Sequence, residues 1–118
     1  MVVQGEFRMA ATAAVTDERN DQELLAAIAA NRDQDAFAIL LQKYRHAAFS
    51  LAVYIAENKD LAEEVVQDAM LSVWSSAHTF RSENARAWIL RIVARRALKV
   101  ARQSRRSSAL LKKAQKTM

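Results

Sequence analysis

Proline is absent from this chain and glycine occurs once, at Gly5. Hairpins and sheet edges depend on those two residues for their turns, so a chain almost without them has few ways to reverse an extended strand. It is rich instead in alanine, leucine, arginine and glutamate, residues that lose little on entering a helix. The expected fold is all-α, a compact bundle of about four helices with a long basic last helix. A chain of 118 residues can bury such a core without covalent staples.

The same inventory excludes several function classes. With no cysteine, neither a disulfide nor a thiolate metal site can form. His46 and His78 are the only histidines and stand far apart without ligand spacing, so surface or structural roles are expected, and no metal or cofactor is. No nucleophile pairing, glycine-rich phosphate loop or facing carboxylate pair is found, which argues against an enzyme. No apolar run approaches the ~20 residues of a membrane span, and the N-terminus lacks the order of a secretory signal. A soluble, cytoplasmic protein with no membrane partner is expected.

The formal net charge of +5 is the sum of two opposed parts. Residues 1–80 hold 6 Lys/Arg against 12 Asp/Glu, a net of −6, whereas residues 81–118 hold 12 Lys/Arg against the single acid Glu83, a net of +11. Such asymmetry suits a C-terminal third that meets nucleic acid or another polyanion, and an acidic remainder that meets a basic protein surface.

Along the chain, residues 1–20 show no sustained period and are expected to be a loose leader, with Met9 an alternative start. Asn20 or Asp21 then caps a short helix, with Glu23 in its first turn, Leu24, Leu25 and Ile28 on its apolar face and Asn31 at its close. Asp33 or Asp35 caps a second helix, in which Phe37, Leu40, Leu41, Tyr44, Ala48, Leu51 and Ile55 recur at threes and fours to about Glu57. Tyr44 and Tyr54 are expected to be core or rim aromatics.

Asp60, with Glu63 three residues on, has capping-box spacing and is expected to open a third helix from Leu61 to about Ala77. Its apolar side carries Leu61, Ala62, Val65, Val66, Ala69 and Val73; the opposite side carries Asp60, Glu63, Glu64, Gln67, Asp68 and Leu71. A row of acids is usually a solvated face. Here no Lys or Arg lies between Asp60 and Phe80 to pair with them, and Leu71 adds an apolar contact among them, which suits docking of a basic partner. Ser75–Asn84 is expected to be a polar loop holding Phe80, with Ser82 or Asn84 capping the helix that follows.

That helix spans Glu83 to Arg106. Trp88, Arg91, Arg95, Lys99 and Arg102 fall on one stripe of its wheel, and Ile89, Leu90, Val93, Ala97, Val100 and Ala101 spread over the other side. One side is built to join a core; the other is a row of cations about one turn apart, able to hold phosphates, with an aromatic at its head for stacking a base. Residues 107–118 are expected to be a basic, frayed tail or the start of a connector. The organised domain is thus bounded at 21–106.

Four blocks occur in this order: Asp21 to Leu25 (DQELL), Ala36-Phe37 to Tyr44, Ala62-Glu63-Glu64 through Gln67 to Trp74, and Trp88-Ile89 to Ile92. In order and spacing they resemble region 2 of bacterial sigma factors, specifically the extracytoplasmic-function group. No single block is specific, whereas four in register are.

The resemblance implies an acidic helix that binds the clamp helices of the largest subunit of core RNA polymerase, through Asp60, Glu63, Glu64, Gln67, Asp68 and Leu71. It also implies capture of the melted non-template strand at the promoter -10 element. Phe80, Arg81 and Asn84 would form the base pocket, Trp88 at the start of the helix would be either core or the backing of the unstacked base, with core preferred, and Arg91, Arg95, Lys99 and Arg102 would hold phosphates. An anti-sigma factor is a further partner consistent with the group. Where the family commonly has Asn and Asp, this chain has Arg95 and Lys99, long cations that hold phosphate rather than read base edges. The group also carries a C-terminal helix-turn-helix domain for the -35 element, which residues 107–118 are too few to form. Hence the alternative expectation of an orphan regulatory domain, which binds polymerase or an anti-sigma factor without reading promoters.

Overall fold

A computed structural model describes residues 19–81 and 84–117. Four α-helices follow one another among them: α1 (Asp21–Asn31), α2 (Gln34–Ala56), α3 (Lys59–Ser76) and α4 (Ala85–Thr117), with a 3-10 turn at Ala77–Thr79 between the last two. No strand occurs among the described residues. The leader and the alternative start at Met9 fall outside them.

Each helix begins on a side chain that satisfies its free amides. Asn20 forms a reciprocal capping box with Glu23: its Oδ1 accepts from the Glu23 amide at 2.8 Å and its own amide donates to Glu23 Oε1 at 3.2 Å. Asp33 accepts from the Ala36 amide at 3.0 Å to open α2. That bond, with Arg19 at 3.3 Å, holds the Asp33 carboxyl below its usual range. Helix α3 opens on Asn58, whose Oδ1 accepts from the Leu61 amide at 2.9 Å, and not on Asp60. Asp60 lies inside the first turn, where its charge favours the helix N-terminus instead of capping it.

With no glycine at hand, α1 and α2 end on residues forced into the left-handed region, Arg32 (φ 52°) and Glu57 (φ 58°). Asn31 is the last residue of α1, as expected, and Arg32 just beyond it is the cap. The Arg32 side chain compensates by donating to the Trp74 carbonyl at 2.7 Å and lying 4.5 Å over the Trp74 ring. Trp74 in turn meets Phe37 edge-on at 5.1 Å.

The core lies where α2, α3 and α4 pack on one another, with α1 laid across α2 and the 3-10 turn. Leu24, Leu25, Ile28, Leu40, Tyr44, Val65, Val73, Ile89 and Val93 fill it, and alanines at 36, 48, 52, 62, 69 and 97 let the backbones approach. Met70 joins this core although the apolar pattern did not include it. Tyr44 is buried as expected, whereas Tyr54 is 82% exposed and belongs neither to core nor rim.

Two boundaries differ from expectation. Ser75 and Ser76 remain helical, because the hydroxyls of both bond back to the Ser72 carbonyl instead of breaking the helix, and Ala77–Thr79 continue as a 3-10 turn. The loop is thus confined to the residues after Thr79. At the other end α4 does not stop at Arg106: it runs unbroken to Thr117, a helix of 33 residues whose last buried position is Ala101.

Candidate functional site

The outward face of α3 is built from residues three and four apart. Asp60, Glu63, Glu64 and Gln67 are exposed on it, and Leu71 is 62% exposed. Asp68 departs from the expected unpaired row. It is half-buried and accepts from Arg96 of α4 at 2.8 Å, because the packing of α3 on α4 brings that arginine alongside. The remaining acids have no recorded basic partner among the described residues.

Beside this face, α2 and α3 enclose a groove of about 720 Å³. Leu41, Phe49, Val66 and Met70 line its apolar part, and Gln42, Arg45, His46, Glu63 and Gln67 supply its polar groups. Arg45 was not singled out in the sequence, and His46 only as a surface or structural histidine. Their signal is the recurrence of Gln42, Arg45, His46 and Phe49 at threes and fours, a helix face that meets the core only at its edge, through Phe49.

The second surface begins at the 3-10 turn. Phe80 is half-buried and meets Trp88 edge-on, 5.4 Å between centroids and 66° between planes. It borders a shallow groove of about 570 Å³ between α1 and the turn, with Ala26, Ala29, Ala30 and Ala77 among its lining. Arg81 is exposed, and its guanidinium donates to the His78 carbonyl at 3.0 Å. Asn84 caps α4: its Oδ1 accepts from the Ala87 amide at 3.0 Å and its carbonyl from the Trp88 amide at 3.0 Å. Ser82, the other expected cap, lies outside the described residues.

Trp88 is a correction to the expected stripe. It is only 9% exposed and packs in the core, where α2 and α3 pack on α4 and Phe80 lies against it. Its indole supports Phe80 from behind. From Arg91 onward the expected arrangement holds: Arg91, Arg95, Lys99 and Arg102 are exposed while Val93, Ala97 and Ala101 face inward. No acid occurs in the sequence from Asn84 onward, and Arg96 pairs with Asp68 of α3.

A third cluster serves the fold. The Tyr44 hydroxyl donates to Asp21, Lys43 donates to the same carboxylate at 2.7 Å, and the Arg86 guanidinium lies 5.7 Å from the Tyr44 ring centroid. Burial first, and then the Asp21 carboxylate, push the Tyr44 phenol up to about 12 from its usual 10.0, partly offset by Arg86. No group of three or more His, Cys, Asp or Glu able to hold a metal occurs among the described residues. No described helix is long and apolar enough to cross a membrane.

Fold and surfaces define a class: a helical domain with one face rich in acids and another lined by cations. Within that class the chain belongs to the Sigma-70 region 2 family, whose profile matches residues 40–107. Among similar proteins are the ECF RNA polymerase sigma factor SigK of Mycobacterium sp. strain KMS and the ECF RNA polymerase sigma factor SigM of Mycobacterium tuberculosis. The first is 32% identical over 80 residues, 66% of this chain and 42% of that protein. The second is 39% identical over 77 residues, 64% of this chain and 39% of that protein. The matched stretches thus span about two-fifths of the length of these relatives. No solved structure shows significant similarity to the chain.

Proposed function

We propose that this chain serves as the region 2 domain of a cytoplasmic RNA polymerase sigma factor of the extracytoplasmic-function group, acting in transcription initiation. The observation that carries the proposal is the separation of surfaces: an acid face on α3, and a cation-lined α4 with no acid after Asn84. Core polymerase, through the clamp helices of its largest subunit, is the partner for the first; promoter DNA is the partner for the second.

On the acid face, Glu64, Gln67 and Leu71 form an exposed row, flanked by Asp60 and Glu63, and the α2–α3 groove at Glu63 and Gln67 offers an apolar seat for a neighbouring helix. Asp68 takes part only by sharing or exchanging its bond to Arg96. A basic partner gains from the charges mainly in rate and specificity of association, and from Leu71 and the groove in apolar contact.

On the DNA side, Phe80 is the aromatic wall for an unstacked base of the -10 non-template strand, held in place by Trp88 behind it. Arg81 and the amide nitrogen of Asn84, whose Oδ1 is engaged in the α4 cap, would supply polar contacts to that base, while Arg91, Arg95, Lys99 and Arg102 follow the phosphates. Stacking on an aromatic is worth about 1–3 kcal/mol per base, comparable with the few kcal/mol needed to expose it. The domain alone is therefore a poor melting agent. Tethering by polymerase raises its local concentration and makes weak strand contacts sufficient.

Exposed Arg95 and Lys99 favour a second reading, in which the domain occupies polymerase or an anti-sigma factor and holds strands without reading their sequence. Fluorescence anisotropy with labelled single strands decides between them. Tighter binding to a -10-like strand than to its scrambled counterpart supports promoter recognition; equal binding supports the second reading.

A further inference from the structure

Beyond Ala101 helix α4 leaves the bundle, and every described residue from Arg102 to Thr117 is exposed. This arm carries Arg102, Arg105, Arg106, Lys112, Lys113 and Lys116 and no acid. At 3.6 residues per turn the six cations fall within an arc of about 120°, and at 1.5 Å per residue they are spread over about 21 Å. The other side of the arm holds Ser104, Ser107, Ser108, Leu111 and Gln115. No carboxylate pairs with any of the six among the described residues, and Arg105 bonds only weakly to the Ala101 carbonyl, at 3.4 Å. The family profile ends at residue 107, so Lys112, Lys113 and Lys116 lie outside it.

We propose that this arm is a second nucleic-acid surface, sharing only Arg102 with the strand-binding row of α4, and that it lies along the backbone of duplex DNA without reading sequence. The six cations stand on average about 4 Å apart along the helix axis, of the same order as the phosphate spacing of one DNA strand, about 3.4 Å along the duplex axis. A straight, continuous helix presents that row as a rigid rod. A duplex offers a rigid row in return, whereas a single strand must be ordered at a cost in conformational entropy before it can make the same contacts. An anionic membrane fits less well: the arm has no aromatic, and its large apolar side chains are Leu110 and Leu111 alone, too few for the broad apolar face of a surface-bound helix.

The test is the salt dependence of duplex binding by the full chain, with a blunt 20-base-pair duplex as probe. In Lys112→Gln/Lys113→Gln/Lys116→Gln the helix is preserved, since glutamine and lysine have similar propensity. Removing three phosphate contacts should reduce the slope of log K against log salt by about 2.7. A control, Lys59→Gln, lowers net charge on the bundle and should leave the slope unchanged. Circular dichroism verifies that both variants remain helical. The proposal is overturned if the arm variant keeps the parental slope, or if the control lowers it equally per charge. It is also overturned if an unpaired 20-base strand shows the same loss as the duplex, or if the arm mutations release the protein only from phosphatidylglycerol-containing vesicles. The test does not involve polymerase, so its failure leaves the sigma-factor reading standing.

Discussion

Tyr44 fixes the corner where α1, α2 and the start of α4 meet, through a carboxylate it shares with Lys43 and an arginine beside its ring. Its phenol is held neutral up to about 12, against 10.0 in the unfolded chain. An acid that keeps its proton more tightly when folded gives its full contribution to stability below pH 10, and loses it as pH rises from about 10 to about 12. In a Tyr54→Phe background, the phenolate absorbance at about 295 nm is therefore expected to appear only toward pH 12, and Asp21→Asn should move it to lower pH. At Glu57 the backbone sits at φ 58°, where a Cβ is penalised and glycine is not. Glu57→Gly should stabilise the fold by roughly 0.5–1 kcal/mol in urea unfolding, because left-handed geometry outweighs the extra chain entropy of glycine. This geometry was not legible in the sequence: a capping residue is recognised by its side chain, but nothing in Arg32 or Glu57 announces a positive φ.

At the scale of elements, periodicity gave the number, order and inward faces of the helices, because burial imposes a 3.6-residue repeat on any helix with one wet side. It failed where local chemistry competes with local chemistry. Asn58 and Asp60 are both good caps two residues apart, and the amide of Leu61 bonds to Asn58. Asn58→Ala should cost about 1 kcal/mol, and Asp60→Ala less, in matched thermal or urea denaturation. Trp88 misled for a different reason: a helical wheel assumes one environment along a helix, yet the first turns of α4 are enclosed by other elements and the later turns are not. Trp88→Ala should therefore destabilise the fold by about 3–5 kcal/mol, so that weakened DNA binding in that variant reports unfolding and not a lost contact. The Asp68–Arg96 bridge joins helices far apart in sequence and could not be read from either. Its side chains are about two-fifths exposed, and a double-mutant cycle with Asp68→Asn and Arg96→Gln should give a coupling below about 1 kcal/mol.

For the whole molecule, the split of charge between residues 1–80 and 81–118 becomes a spatial separation through packing. Helices α3 and α4 spend their apolar sides on each other and on α2, which leaves the acids of one and the cations of the other facing outward. Asp68 and Arg96 meet across that junction in a salt bridge. The four ordered sequence blocks were enough to indicate the family, because they record both the packing and the two outward rows. The groove at Arg45 and His46 and the length of α4 beyond Arg106 needed coordinates, since neither an unused helix face nor a stretch of good helix formers reveals what packs on it.

The central claim is that these two rows serve different partners, and a pair of surface variants measured against both partners tests it most directly. Glu64→Lys/Gln67→Lys should weaken binding to core RNA polymerase by about tenfold or more while leaving affinity for a labelled single strand nearly unchanged. Arg95→Glu/Lys99→Glu should do the reverse. If either variant, still folded by circular dichroism, weakens both interactions to the same degree, the two rows form one surface and the account is wrong.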